Sequence, residues 1–181
     1  MNLIKSTIDD LFVLEPSTFS DKRGCFMESY NQEKFNNLLG NIDFVQDNES
    51  GSFKGVLRGL HFQHPPYNQT KLVRCISGKV LDVAVDLRKN SKSYGNFFSI
   101  ELSSENKKQL LIPNGFAHGF QVLTNYAIVN YKVDNYYNPK YESGIIWNDK
   151  DLFINWNNDV NPILSDKDLK LESFNNFKSP F

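Results

Sequence analysis

Three side chains that bind anions or move protons lie within residues 55–71 of this sequence. Arg58 can bind an anion, His61 can exchange a proton near neutral pH, and Lys71 can stabilise negative charge on oxygen. This stretch predicts a site for an anionic substrate whose chemistry is proton transfer. The structural alternative makes His61 a hydrogen-bonded core residue and Arg58 a surface ion-pair partner.

The spacing of this arginine and this histidine requires an irregular strand. Side chains alternate along a regular strand, so Arg58 and His61 would face opposite sides of it. Gly59 lies between them and can accommodate a β-bulge. We therefore expect a bulge at Gly59 that turns both side chains into one cavity.

A base histidine needs its second ring nitrogen oriented, usually by a carboxylate. Asp168 is the candidate, although Ser165 and Asp168 also have the spacing of a helix capping box. Tyr131 is flanked by apolar residues and could donate a proton from the opposite side. The alternative for Tyr131 is a core tyrosine with a satisfied hydroxyl.

His118 lies in residues 113–119, which the proline and glycines predict to be a turn. Polar side chains in such turns are often functional. Residues 113–118 also resemble the second metal-binding motif of cupins. The first motif requires an HxH pair and a glutamate, whereas His61 and His64 stand three apart and the chain has only 3 histidines. We therefore predict no metal, and the absence of a glycine-rich phosphate motif predicts no nucleotide cofactor.

Composition limits the class of protein. A chain of 181 residues is long enough for one domain with a substantial core, and we predict a single domain over residues 1–181. The net charge of −1 gives no basic field for nucleic acid. No apolar run approaches the length of a membrane span, and Cys25 and Cys75 form no CxxC pair. The expected location is the cytoplasm, without membrane association.

Short apolar stretches separated by turn residues predict many strands, at residues 11–14, 25–30, 72–76, 81–87, 97–102, 109–112, 120–122 and 127–133. One helix is predicted after Asn31, with Phe35, Leu38 and Leu39 on its apolar face and Gly40 as its stop. A Gly/Ser turn is expected after residues 44–48. This pattern predicts an antiparallel sandwich or barrel. The tail beyond about residue 172 is expected to be frayed or docked on a neighbour.

Taken together, the motifs resemble the dTDP-4-dehydrorhamnose 3,5-epimerase family over nearly the whole chain. The stretches that carry the resemblance are FSDKRG (19–24), FVQDN (44–48), KGVLRGLHFQ (54–63), KLVR (71–74), GKVLDVAVDLR (78–88), PNGFAHGF (113–120) and SDKD (165–168).

The resemblance implies an all-β, cupin-type jelly-roll sandwich with a few short peripheral helices. It implies a metal-free and cofactor-free homodimeric isomerase acting on a dTDP-linked 4-keto-6-deoxy sugar, with inversion at C3 and C5. The alternatives are an epimerase of one carbon only, an epimerase of a different nucleotide-linked sugar, and a non-catalytic cupin that binds a sugar nucleotide.

The resemblance also implies residue roles. His61 would be the base, paired with Asp168, Tyr131 the proton donor, and Lys71 the group that stabilises the enolate. Further positions would contact the substrate, some of them in the site of a partner subunit. These are Phe19, Arg23, Glu28, Gln46, Asp47, Asn48, Arg58, His118, Tyr137, Glu142 and Lys167.

Overall fold

Two antiparallel sheets packed face to face form the core of the computed structural model, which describes residues 1–181. The strands, in chain order, are β1 (Asn2–Lys5), β2 (Phe12–Glu15), β3 (Thr18–Asp21), β4 (Gly24–Met27), β5 (Gln46–Phe53), β6 (Leu57–Gln63), β7 (Lys71–Ser77), β8 (Lys79–Asp86), β9 (Phe97–Ser103), β10 (Gln109–Ile112), β11 (Phe116–Val122), β12 (Tyr126–Val133) and β13 (Glu142–Gly144). One α-helix, α1 (Gln32–Leu39), and one 3-10 turn (Asp168–Lys170) complete the regular structure.

The six-stranded sheet has the order β1-β2-β10-β7-β12-β5, and the five-stranded sheet the order β13-β6-β11-β8-β9. Strands β3 and β4 form a separate hairpin. Because neighbours in each sheet are mostly distant in sequence, the chain crosses repeatedly from one sheet to the other. This is the antiparallel sandwich that the strand pattern predicted.

Strand β8 shows why the core has several layers. Two of its even-numbered residues, Val80 and Ala84, belong to the apolar cluster between the two sheets, and the other two are the buried Asp82 and Asp86. Its odd-numbered residues, such as Val83 and Val85, pack in a second cluster with Trp156 on the outer side of the five-stranded sheet. A strand buried on both faces lacks the solvent-facing polar side of an ordinary antiparallel strand.

Helix α1 begins and ends where its capping residues predict. The side chain of Asn31 accepts a hydrogen bond from Lys34 N at 3.2 Å, and Gly40 ends the helix at a φ of +82°. Phe35 is fully buried in the cluster on the outer side of the six-stranded sheet. The predicted apolar face is wrong at Leu38, which is 45% exposed, because the helix contacts the sheet only along the side of Phe35 and Leu39.

The C-terminal tail docks on its own chain. Phe177 is buried in the outer cluster of the five-stranded sheet, with its ring centroid 5.2 Å from that of Phe62. The hydroxyl of Ser179 donates to the carbonyl of Leu87, and Lys89 N donates to the carbonyl of Phe181 at 3.0 Å. The tail therefore covers apolar side chains that would otherwise face solvent.

Two predicted turns are strands. Residues 49–53, expected as a Gly/Ser turn, belong to β5, which pairs with β12 over its whole length. Strand β5 is the edge strand of its sheet, so it lacks the apolar alternation that marks an interior strand. His118, expected in a turn, lies in β11, which is fully buried between β6 and β8.

Candidate active site

A cavity of about 460 Å³ opens between the two sheets, a size that suits a small molecule. Only four of its 18 lining residues are hydrophobic, which indicates a polar ligand. The lining residues are Gln46, Asn48, Ser50, Arg58, His61, Phe62, Gln63, Gln69, Lys71, His118, Gly119, Phe120, Tyr131, Tyr137, Glu142, Ser165, Lys167 and Asp168.

A break in strand pairing places Arg58 and His61 in the same cavity. The pairing of β6 with β11 changes register between the His118 and Phe120 partners, opposite Gly59. Gly59 has a φ of +133°, and a Cβ there would lie 2.5 Å from the Cα of Gly119. Only glycine fits this close approach of two backbones. The irregularity expected at Gly59 is confirmed.

His61 and Asp168 form a hydrogen-bonded pair at the floor of the cavity. The Nε2 of His61 contacts Oδ1 of Asp168, whose Oδ2 accepts from the Ser165 hydroxyl at 2.9 Å. Burial acts to raise the pKa of Asp168, but the hydrogen bond and charge of His61 and the bonds from Ser165 hold it below its usual range. An ionised Asp168 only accepts, so Nε2 of His61 carries a proton, and Nδ1, which makes no hydrogen bond within the chain, has a free lone pair whenever the imidazole is neutral.

The short segment before Asp168 explains how that carboxylate is placed. Asp168 N donates to Ser165 Oγ at 3.1 Å while Ser165 Oγ donates to the Asp168 carboxylate, which matches only the first half of a capping box, since the second bond comes from the Ser165 hydroxyl and not from its backbone N–H. The segment forms a 3-10 turn and not an α-helix. Asp168 pairs with His61 and Ser165 at once, but the helix cap that the sequence allowed does not form, because Lys167 begins the turn.

Lys71 is the most deeply buried cation of the cavity. It begins β7 on the opposite sheet from His61 and is 9% exposed. Burial lowers the pKa of Lys71 to about 8, although the charges of Asp82 and Glu142 act to raise it. An ammonium group that is poorly solvated interacts strongly with any negative charge that forms beside it.

Tyr131 lies on β12 of the six-stranded sheet, facing the strand that carries His61. Burial raises the pKa of Tyr131, and the charge of Arg58 only partly opposes that shift. The phenol is therefore protonated at neutral pH and able to donate. Arg58 is held by a hydrogen bond from its Nε to Ser52 Oγ at 3.1 Å.

At the cavity wall, Glu142 joins two other side chains. The hydroxyl of Tyr137 donates to Glu142 Oε2 at 2.6 Å, and the ammonium of Lys167 forms an ion pair with the same oxygen. Burial acts to raise the pKa of Glu142, but Lys167 and Tyr137 lower it overall. Glu142 therefore carries a charge at neutral pH.

His118 forms a second histidine–aspartate pair deeper in the five-stranded sheet. Its Nε2 lies 3.0 Å from each oxygen of Asp82. Both side chains are buried, His118 at 6% and Asp82 at 0% exposure. Only His118 reaches the cavity. The sequence pattern did not single out Asp82.

Four of the residues predicted to bind substrate do not line the cavity of this chain. Phe19 and Arg23 lie on the exposed β3–β4 hairpin, where Arg23 pairs with Asp21 at 2.6 Å. Glu28 pairs with Lys34 at 2.6 Å. Asp47 points to the other face of β5, opposite Gln46 and Asn48, and pairs with Lys132 at 2.9 Å.

Several lining residues were missed by the sequence analysis. Ser50 and Gln63 are examples, and strand parity could have found both. Ser50 shares the face of Gln46 and Asn48 on β5, and Gln63 follows His61 by two residues.

No three His, Cys, Asp or Glu side chains come together as a metal site. No helix is long and apolar enough to cross a membrane.

Comparison with known proteins identifies the family to which this geometry belongs. The family model described as dTDP-4-dehydrorhamnose 3,5-epimerase matches residues 5–176. The chain belongs to the dTDP-4-dehydrorhamnose 3,5-epimerase family. The dTDP-4-dehydrorhamnose 3,5-epimerase of Escherichia coli (strain K12) is 53% identical over 172 residues, which cover 94% of this chain and 93% of the relative.

Solved structures of the family share the fold. The dTDP-6-deoxy-D-glucose-3,5-epimerase of Legionella pneumophila, in complex with dTDP-4-keto-L-rhamnose, superposes with a TM-score of 0.95 at 44% identity, covering 98% of this chain and 94% of that one. A 3'-monoepimerase from Streptomyces bikiniensis, in complex with dTDP-quinovose, has a TM-score of 0.89 at 31% identity, covering 93% and 85%. The predicted jelly-roll fold of this isomerase family is confirmed.

Proposed function

We propose that this protein epimerises C3 and C5 of dTDP-4-dehydro-6-deoxy-D-glucose, giving dTDP-4-dehydro-L-rhamnose. The observation that carries the proposal is the placement of a base and an acid on opposite walls of one cavity. His61 belongs to the five-stranded sheet and Tyr131 to the six-stranded sheet, with Lys71 buried beside them. Membership of the family gives the substrate.

The 4-keto group makes the chemistry accessible to these side chains. The hydrogens on C3 and C5 are acidic because removal of either proton leaves an electron pair on carbon. That pair can move onto the C4 oxygen, which gives an enolate. Nδ1 of His61 accepts the proton, and the charge of Asp168 stabilises the imidazolium that forms. The buried ammonium of Lys71 stabilises the enolate oxygen.

Inversion requires that the proton return from the other side. Tyr131 donates its phenolic proton to the carbon as the enolate electron pair moves back, and solvent later restores the phenol and the neutral imidazole. The same sequence at the second carbon completes the conversion. Arg58, His118 and Lys167 hold the anionic part of the nucleotide sugar in this proposal, which their cationic or hydrogen-bonding side chains in the cavity support.

The test is proton NMR of the reaction in D₂O. We expect deuterium at both C3 and C5 of the product, with both carbons inverted. Deuterium at a single carbon would establish the mono-epimerase alternative, which the Streptomyces bikiniensis relative makes a concrete rival. Binding of dTDP without any exchange would establish a non-catalytic sugar-nucleotide-binding protein instead.

We also propose a homodimer in which a second copy supplies Phe19, Arg23 and Glu28 to the site. Their exposure supports this, since the side chain of Arg23 is 84% exposed. Mixing Arg23→Ala with His61→Ala protein tests it, since a mixed dimer with shared sites contains one intact site. About a quarter of wild-type activity is expected at equal mixing with random exchange. A mixture that is no more active than its components would refute sharing.

The proposed compartment is the cytoplasm, which the free thiols of Cys25 and Cys75 support. Cell fractionation with an antibody against the protein is the measurement. Recovery from the exported fraction with an oxidised Cys25 would contradict the proposal.

A further inference from the structure

Residues 134–141, named here the wall segment, connect Tyr131 on β12 to Glu142 on β13 and contain no helix or strand. Tyr137 of this segment lines the cavity and is 53% exposed. Such a segment has no ladder of backbone hydrogen bonds to fix it. The position of Tyr137 must therefore depend on other contacts.

One side chain pairs with the backbone on both sides of Tyr137. The Nε2 of Gln63 donates to the carbonyl of Tyr136 at 3.2 Å, and its Oε1 accepts from Asn138 N at 2.6 Å. The same Nε2 also donates to the carbonyl of Tyr67 at 2.7 Å. The side-chain amide of Gln63 thus supplies, on both sides of Tyr137, the backbone hydrogen bonds that a neighbouring strand would otherwise supply.

The side-chain amide of Gln63 comes from the strand that carries the proposed base. Gln63 is 4% exposed and ends β6, two residues after His61. One end of the wall segment is held by Gln69, whose Nε2 donates to the carbonyl of Asn135 at 2.7 Å. Gln46 Oε1 accepts from Tyr137 N at 3.2 Å, but Gln63 alone bonds to the backbone on both sides of Tyr137 and so connects the strand of the base directly to the cavity wall.

We propose that Gln63 is a positioning residue of this site, which sets the place of Tyr137 against the substrate by holding the backbone on both sides of it. The proposal deepens the proposed function, because it rests on the nucleotide sugar occupying this cavity. Although Gln63 also lines the cavity, the proposal gives it an effect through the backbone beside Tyr137 and no contact with a reacting atom. The effect should therefore fall on substrate binding more than on the chemical step.

The first test is Gln63→Met, which keeps the side-chain length and removes all three hydrogen bonds. We expect KM for the nucleotide sugar to rise about tenfold while kcat falls less than about threefold. Gln63→Glu is the second variant, which keeps the acceptor for Asn138 N and loses both donors when ionised. It should raise KM in the same direction and remains informative if the methionine variant does not fold.

The matched control is a second buried glutamine whose side chain also pairs with backbone groups. Gln121 is 2% exposed, and its side chain pairs with both the N–H and the carbonyl of Asn157, at 2.8 and 3.1 Å. It does not line the cavity. Gln121→Met should lower the melting temperature as Gln63→Met does, but leave KM unchanged. An equal rise of KM in both variants would overturn the proposal in favour of a general loss of rigidity.

A double-mutant cycle with Tyr137→Leu tests the route of the effect. If Gln63 acts through Tyr137, adding Gln63→Met to Tyr137→Leu should change KM less than about twofold. A full tenfold further rise, or a wild-type KM in both Gln63 variants, would overturn the proposal. Failure of the proposed function is distinguishable, since the wild-type protein would then show no epimerisation.

Discussion

The two histidine–aspartate pairs have the same chemistry and opposite settings. His61 is 29% exposed at its side chain and joins a sheet strand to a turn 107 residues later in the chain. His118 is 6% exposed and joins two adjacent strands of one sheet. A base that takes a proton from the substrate must be able to reach the substrate. A residue that only orients a binding group must instead be held rigidly. The difference in exposure supports the proposed catalytic role of the first pair and a positioning role for the second.

Removing each imidazole in turn should give the largest contrast. His61→Ala should reduce deuterium exchange at C3 by at least about 10³-fold while dTDP still binds, because the other basic groups of that wall are engaged, His118 by Asp82 and Glu142 by Tyr137 and Lys167. His118→Ala should mainly raise KM. The measurement is NMR exchange in D₂O at saturating substrate. Persistent exchange in His61→Ala would remove this residue from the mechanism.

Lys71 lines the same cavity as His61, and the charge of Asp82 in the second pair acts to raise the pKa of its ammonium. Lys71→Met should lower kcat by about 10²–10³-fold, because the enolate then loses its charge partner. The matched control is Lys79→Met, which removes a cation paired with Glu101 at 3.0 Å outside the cavity. Steady-state kinetics of both variants is the measurement. An equal loss in both would contradict a specific role for Lys71.

Changing each aspartate to asparagine should separate the pairs further. Asp168→Asn can donate to Nε2 of His61 and so favours the tautomer whose Nδ1 carries the proton, which should lower kcat on the order of 10²-fold. Asp82→Asn should lower kcat less than tenfold but destabilise the fold by about 1–3 kcal/mol, because a fully buried partner is weakened. Kinetics and thermal unfolding measure the two effects. The reverse ranking would exchange the roles of the pairs.

The smallest predicted effect is on pH dependence. Lys71 acts as a cation, and burial lowers its pKa to about 8. Loss of this ammonium should therefore give an alkaline limb in which activity falls by up to about tenfold per pH unit above this value. The profile of kcat against pH is the measurement, and in Asp82→Asn the alkaline limb should move to lower pH. A wild-type profile that is flat to pH 10 would contradict a required ammonium.

Part of this account could be predicted from residue types and spacing alone. The bulge at Gly59 followed from strand parity, and the capping residues of α1 fixed both of its ends. Asp168 was accessible because its Ser165 motif is local in sequence. Each of these features depends on residues within a few positions of one another.

Features that depend on distant partners could not be predicted. Strand β5 lines a polar cavity with one face and forms a sheet edge, so its sequence does not show the usual apolar alternation. Asp47 shares a motif with Gln46 and Asn48 but points to the opposite face. The partners of Gln63 are backbone groups up to 75 residues away, and side-chain patterns carry no information about them.

The central claim is that base and acid act from opposite sheets, and Tyr131→Phe tests it most directly. The substitution keeps the ring and its packing and removes only the hydroxyl. Because His61 and Lys71 remain, the enolate should still form and take deuterium back on the side of His61. In D₂O we predict that deuterium enters unchanged substrate faster than epimerised product appears. Equal slowing of exchange and inversion would contradict the account, since the hydroxyl would then serve deprotonation or binding.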